Sequence, residues 1–202
     1  HELLRWREKN LQGAKLVQVL QNIDVNKVDE LHARYFTVMM DVLVDMIQTS
    51  VDDKVVSECF HVLVPVLSFS PCDSDHREHT LDVYLTHVLQ ISSASLHVRL
   101  VQSMSNLLDW LSLVGDNMKN WKSVDNQNFA VAQKLMPAFP YITKLIITAA
   151  FKTAEKEVAT ATEVLLDFKK SLLQLLVFLN RIMSSELRFL RDFHHQILLC
   201  FP

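Results

Sequence analysis

Residues 28–48 read VDELHARYFTVMMDVLVDMIQ, and the spacing within them decides the fold class. Val28, Leu31, Tyr35, Val38, Met39, Val42 and Met46 recur at steps of three and four, which places them on one face of an α-helix. Phe36, Met40, Leu43 and Ile47 form a second row beside the first. The two rows span roughly half the circumference, wider than the ~100° stripe of a helix lying on a protein surface. Glu30, Arg34, Thr37, Asp41 and Asp45 fill the narrow remaining face. Such a helix must be covered on two sides, by the segments before and after it.

Those segments read as helices too. Residues 2–8 form a short one with Leu3, Leu4 and Trp6 apolar, and Asn10 caps a second that carries Leu16, Val17, Val19, Leu20 and Ile23. Gly13 in its first turn costs up to ~1 kcal/mol relative to Ala. Asp24 or Asn26 caps the central helix, and Thr49-Ser50 ends it. Asp52 or Asp53 starts the next, in which Pro65 predicts a kink or an early end. After a loop at 70–75, Ser74 or Asp75 caps a helix bearing Leu81, Tyr84, Leu85, Val88 and Ile91. Beyond Ser92-Ser93, a run from Leu96 to Val114 ends at Gly115, read as a C-cap. Residues 116–126 read as the longest loop. Helix returns at Asn128 and should bend at Pro137 and Pro140. Residues 155–182 read as one long helix, apolar on two sides. Ser184 or Ser185 caps the last, with Leu187, Leu190, Phe193, Ile197, Leu198 and Phe201 along one stripe. That stripe predicts either self-association through the last helix or its folding back onto 155–182.

Composition agrees with an all-α chain. Half of the 202 residues are hydrophobic, enough for one domain with a substantial core. Glycine numbers only 2, which disfavours sheets with tight turns and phosphate-cradling loops. The formal charge of −3 is spread along the chain and offers no basic field for nucleic acid or an anionic membrane. Cys59, Cys72 and Cys200 form no CxxC pair and read as reduced cytosolic thiols. No secretory signal opens the sequence, and its most apolar runs are too short to span a bilayer. The start at His1 and the end inside an apolar run read as a fragment of a longer, multidomain protein. Counted from the central helix, pairs fall at 24–69, 75–115 and 125–182, an interval that suits armadillo or HEAT repeats. The expectation is therefore a single armadillo-like segment over residues 1–202, an α-solenoid of antiparallel helix pairs. The pairs share no residue signature, so a compact bundle remains the alternative.

Leu3-Leu4-Arg5-Trp6-Arg7, then 16–20, Ile23-Asp24 and the central helix, resemble the dedicator-of-cytokinesis (DOCK) family, nearest its Rac-activating branch. Leu81-Asp82-Val83-Tyr84-Leu85, Leu107-Leu108-Asp109-Trp110-Leu111 and Met183-Ser184-Ser185 fit the same helical region in the same order. Members are large cytosolic exchange factors for Rac-type GTPases, acting in cytoskeletal signalling, cell migration and engulfment. The resemblance implies a stretch between the phosphoinositide-binding domain and the catalytic exchange domain. It implies a non-catalytic scaffold with protein partners and no cofactor. The Rac-type GTPase would be met by another domain, and the parent recruited to the plasma membrane. No catalytic residue carries over, because none of the family's catalytic motifs occurs here. The alternative is a stand-alone helical adaptor or peptide-binding solenoid unrelated to GTPases.

Other chemistry is thinly represented. Cys72, Asp73, Asp75, His76, Glu78 and His79 form the one cluster with metal-ligand character. His76-Arg77-Glu78 echoes the H-x-E of zinc deaminases, but P-C-x-x-C does not follow. The plainer reading is a helix start with acids at its positive end. His194 and His195 point about 100° apart on a helix and cannot chelate together. With Arg188 and Arg191 they form a basic face, solvated or turned to an acidic partner. Trp6, Trp110 and Trp121 lack the basic groove that base stacking requires, so they read as anchors of core or loop. Lys169-Lys170 reads as a snorkelling polar edge. The expected sites are accordingly no catalytic, cofactor or metal residues, with partner-binding residues unassigned.

Overall fold

The computed structural model describes residues 3–8, 11–23, 28–68, 74–116, 126–156 and 161–183. Of these, 86 % are helical and none lies in a strand, so the chain is all-α. Expected caps at Asp24, Asn26, Ser184 and Ser185, and the last helix itself, lie outside the described residues. Asn10 is not the cap of the second helix, which starts at Gly13 behind Gln12 with no side-chain cap bond.

The chain opens with a short 3-10 turn, Leu3–Arg5. Helix α1, Gly13–Gln21, follows. Gly13 has φ of +53°, a conformation L side chains rarely adopt, although a Cβ there would meet open space. Its presence is thus conformational rather than steric: glycine sets the entry to α1 instead of merely weakening it. Helix α2, Val28–Thr49, is the central helix, and α3 spans Asp53–Leu67. Between them Ser50 accepts from the Asp52 amide at 3.1 Å, and Asp52 caps α3 by accepting from the Lys54 amide at 2.9 Å. Helix α3 passes through Pro65 without the early end expected there and stops at Leu67, where the Ser68 amide donates to the Pro65 carbonyl at 3.2 Å.

Helix α4, Ser74–Val83, does not continue through Ile91 as expected. The chain widens into a π-helical turn, Tyr84–Val88, in which the Leu89 amide donates to the Tyr84 carbonyl at 2.8 Å. The extra residue per turn brings Leu89 to the same buried side as Tyr84. Helix α5, Leu96–Asp116, includes Gly115, so the described helix does not stop before it. Helix α6, Asn126–Lys156, passes unbroken through Pro137 and Pro140. Each proline removes a donor at about 3 kcal/mol. Against that loss, Ala138, Phe139, Ile142 and Leu145 are fully buried. Of the expected helix 155–182, the described residues belong to two elements that pack on each other, α6 up to Lys156 and α7, Ala161–Met183, and residues 157–160 lie outside the described residues.

The helices pack in layers. α3 packs on α1, α2, α5 and α6, α2 also touches α5, and α7 lies on α5 and α6. α4 packs chiefly on the π turn that follows it, so residues 75–115 do not close as a helix pair. Its outer side is tied to α6 by Lys144, which pairs with Asp82 and approaches Glu78 at 4.0 Å. The core is continuous, from Leu16 and Leu20 through Met40, Leu43, Phe60, Leu63, Leu100, Phe139 and Leu145 to Leu175.

Long-range polar contacts hold the segment between α4 and α5. Gln48, buried on α2, donates to the Gln90 carbonyl at 3.1 Å and accepts from the Ser92 and Ser93 amides at 2.7 and 3.2 Å. Lys152 of α6 donates to the Thr86 and Leu89 carbonyls, and Lys156 to that of Ile91. Arg99 of α5 donates to the Ile47 and Ser50 carbonyls at 2.7 and 2.6 Å, which satisfies the C-terminal end of α2.

Candidate functional site

Two regions at opposite ends of the layered core present surface that a partner can use. The first is the start of the chain. Leu3 is buried and Trp6 is half-buried against the core, which brings Arg7 over α2. Both Asp45 carboxylate oxygens accept from Arg7, one of them at 2.6 Å, while its guanidinium carbon lies 5.4 Å from the Trp6 ring centre. This clamp divides two clefts. One, about 480 Å³, is walled by Trp6, Leu11, Leu16, Met46, Val51 and Val55. The other, about 490 Å³, is polar, with Arg5, Glu8, Asp41, Asp45 and Gln90 on its walls. Both volumes are of the size that takes a small molecule or an anchoring side chain.

The second region is α7. Val164 and Leu175 are buried, and Phe168 and Leu172 are half-buried beside them, on the side facing α5 and α6. On the other side Leu165, Leu166, Leu173, Leu176 and Val177 are exposed, Leu173 to 54 % and Val177 to 67 %. Together they make roughly 400 Å² of apolar surface, the scale at which exposed patches mark contact sites. Lys169 and Lys170 are exposed along this helix, and Lys170 lies 3.3 Å from Asp167.

His97 sits in the seam beneath. It is 1 % exposed, its ring is edge-on to Phe168 with centroids 6.0 Å apart, and neither ring nitrogen has a hydrogen-bond partner among the described residues. Burial pushes its pKa below the ordinary imidazole value, with the charge of Asp167 partly opposing the shift. The neutral form is the one this seam accommodates.

The residues singled out for chemistry are not brought together. His76, Glu78 and His79 stand exposed on α4, Cys72 and Asp73 lie outside the described residues, and the Asp75 side chain is not described. Among the described residues no group of three or more His, Cys, Asp or Glu could hold a metal ion. Trp110 is half-buried against the core, and Trp121, Arg188, Arg191, His194 and His195 lie outside the described residues. Cys59 is fully buried 3.6 Å from the Met46 sulfur, and burial pushes its thiol pKa up to about 12, so it is an inert packing group. Glu58 accepts from Gln21 at 2.7 Å and pairs with His61 at 3.7 Å. The His61 contact is the largest cause of its lowered pKa, with burial opposing.

His97 and Gln48 were not legible in the sequence as special. Each sits at a helical spacing that fits an ordinary core or surface position, and their partners lie in remote segments. No helix among the described residues is long and apolar enough to cross a membrane. Comparison with family models, curated proteins and solved structures gives no match to this chain.

Proposed function

We propose that the chain is a non-catalytic scaffold segment, an armadillo-like α-solenoid of helix pairs, belonging to a Rac-type exchange factor of the DOCK kind. The observation that supports this reading most is the separation of the last helix from the first ones. α1 and α2 pack on α3, α2 also touches α5, α3 packs on α5 and α6, and α7 on α5 and α6, while α7 shares no extensive contact with α1, α2 or α3. A chain whose last helix is set apart from its first by the helices between them keeps two separate ends. That is the geometry of a spacer that holds other domains in register. The assignment to a Rac exchange factor rests on the sequence resemblance, carried by Leu3-Leu4-Arg5-Trp6-Arg7 and the helices after it. In this reading the scaffold is cytoplasmic and its partners are the other domains of its parent. The GTPase is met elsewhere in that parent, and recruitment to the plasma membrane belongs to the parent too.

The coding sequence on either side of these residues tests the reading directly. A lipid-binding β-rich domain upstream and a helical exchange domain downstream support it; their absence from the full transcript refutes the parent assignment. Purified residues 1–202 should leave fluorescent GDP release from a Rac-type GTPase at its intrinsic rate, and stimulated release would refute the non-catalytic role. A second reading, a stand-alone peptide-binding adaptor, is favoured by the apolar cleft beside Trp6. Selective capture of a peptide there, lost in Trp6→Ala and Met46→Lys variants, would favour it.

A further inference from the structure

The outer side of α7 combines exposed apolar surface with an unpaired charge, and the two together specify a partner. On a helix that advances about 100° per residue, Leu165, Leu166, Leu173, Leu176 and Val177 fall within an arc of about 120°. All five are exposed, and the arc is turned away from the buried Val164 and Leu175. Thr162 and Asn180, both exposed, stand about one turn beyond either end of this stripe, which is therefore some 18 Å long. Lys169 lies inside the arc and Lys170 at its solvent edge, and both are exposed. Lys170 pairs with Asp167 at 3.3 Å, whereas Lys169 has no partner among the described residues. A purely apolar cover would strip water from the Lys169 ammonium and leave it without a counter-ion, which carries a heavy penalty. A cover that brings a carboxylate to that point pairs the charge instead.

We propose that this face docks an amphipathic helix of a partner protein, apolar along one stripe and carrying carboxylates that meet Lys169 and Lys170. The area fits one helix: roughly 400 Å² of apolar surface is half of what each side of a stable dimer typically buries, about 800 Å². Charge argues against a second copy of the chain as well. Two α7 stripes laid antiparallel about their midpoint, near Ser171, bring the lysines of both copies to within about 10 Å of one another. A membrane surface also fits poorly. Glu163 and Asp167, exposed on the same helix, balance the two lysines and leave no net positive charge for anionic lipid. The proposal does not depend on the identity of the parent.

Fluorescence anisotropy with the whole chain tests it. The probe is a labelled helical peptide of about sixteen residues, with leucine at steps of three and four and glutamates flanking that stripe. Its twin carries lysines in place of the glutamates. The glutamate peptide should bind with a Kd on the order of 10–100 μM, and the twin at least about tenfold more weakly. Lys169→Glu with Lys170→Glu should reverse that preference, a result that loss of folding cannot produce. Leu173→Ser with Val177→Ser should abolish binding of the glutamate peptide; if that variant unfolds, the charge reversal decides. Failure of the whole chain to bind the glutamate peptide would overturn the proposal, as would equal binding of the two peptides. A dimer in sedimentation equilibrium that the serine variant dissociates would assign the face to a second copy and overturn it too. Co-sedimentation with phosphatidylserine vesicles, lost in the serine variant, would overturn it in favour of a membrane.

Discussion

Replacing Gln48 by Leu should cost the chain about 2–3 kcal/mol, and the structure shows where the loss arises. Gln48 is 6 % exposed and makes three hydrogen bonds, one to the Gln90 carbonyl and two from the Ser92 and Ser93 amides. A hydrogen bond of this kind contributes about 1 kcal/mol net. Leucine keeps most of the buried volume, so packing loss is small. Gln90 and Ser92 are exposed, so water recovers part of what their backbone groups lose. That holds the sum near the lower end of three full bonds. With an m-value of about 2 kcal/mol/M for urea, the unfolding midpoint followed by circular dichroism at the helix band should fall by roughly 1 M. Hydrogen exchange should rise first at residues 89–95, since Gln48 is the α2 anchor of that segment. Gln48→Glu keeps an acceptor for the two amides and loses the donor to Gln90, so it should fall between wild type and Leu. A Gln48→Leu midpoint within about 0.2 M of wild type would refute the reasoning. So would a loss of stability with unchanged exchange at 89–95.

Four further outcomes follow from the same contacts. Arg99→Met removes the two charged donations to the carbonyls of Ile47 and Ser50 and should cost about 1.5–3 kcal/mol, read by urea unfolding. His97 titrates lower in the folded chain than the ~6.5 of an unfolded imidazole, so the unfolded chain binds more protons as pH falls. Its contribution is intact above about pH 6.5 and is lost progressively below that, as pH falls through the lowered value of the folded chain. The wild type should therefore lose more stability than His97→Phe between pH 7.5 and 5.5, and equal losses would contradict the account of the seam. In a Cys72→Ser, Cys200→Ser chain, Cys59 should stay unmodified by a thiol reagent at pH 8 until the protein is unfolded. Arg7→Gln breaks an ion pair whose arginine is well exposed and should cost no more than about 1 kcal/mol, with the stability change shrinking at high salt.

The class of fold was legible because helical spacing is local. Residues 36–47 bury Phe36, Met40, Leu43, Met46 and Ile47 as their spacing implies, while Tyr35 and Val38 at the edge of the stripe stay partly in water. A single-residue signal worked where its physics is local as well: Asp52 caps α3. Helix α6 runs on as one element past Pro137 and Pro140, where a bend is expected, and Phe139 and Ile142 beside the lost bonds are fully buried. The glycine signals failed. Gly115 has the composition of a stop but lies inside α5, whereas Gly13, read as a weakness, is the residue with the left-handed backbone. The π turn at 84–88 and the anchoring of 86–93 by Gln48, Lys152 and Lys156 depend on partners some forty to sixty-six residues away, which no window of sequence contains. The contact surface on α7 was half legible. Its two apolar sides were plain in the sequence, but which side meets α5 and α6 is decided by where those helices lie.

The proposed scaffold role in a Rac-type exchange factor is tested most directly by nucleotide exchange in the proposed full-length parent, with residues 1–202 present or replaced by a flexible linker of equal length. GDP release from a Rac-type GTPase would be measured in solution and on vesicles carrying a phosphoinositide. A spacer that holds the lipid-reading and catalytic domains in register predicts one pattern: the solution rate survives the replacement, and the stimulation by vesicles disappears. Loss of the solution rate itself, or vesicle stimulation that persists undiminished without these helices, would contradict it.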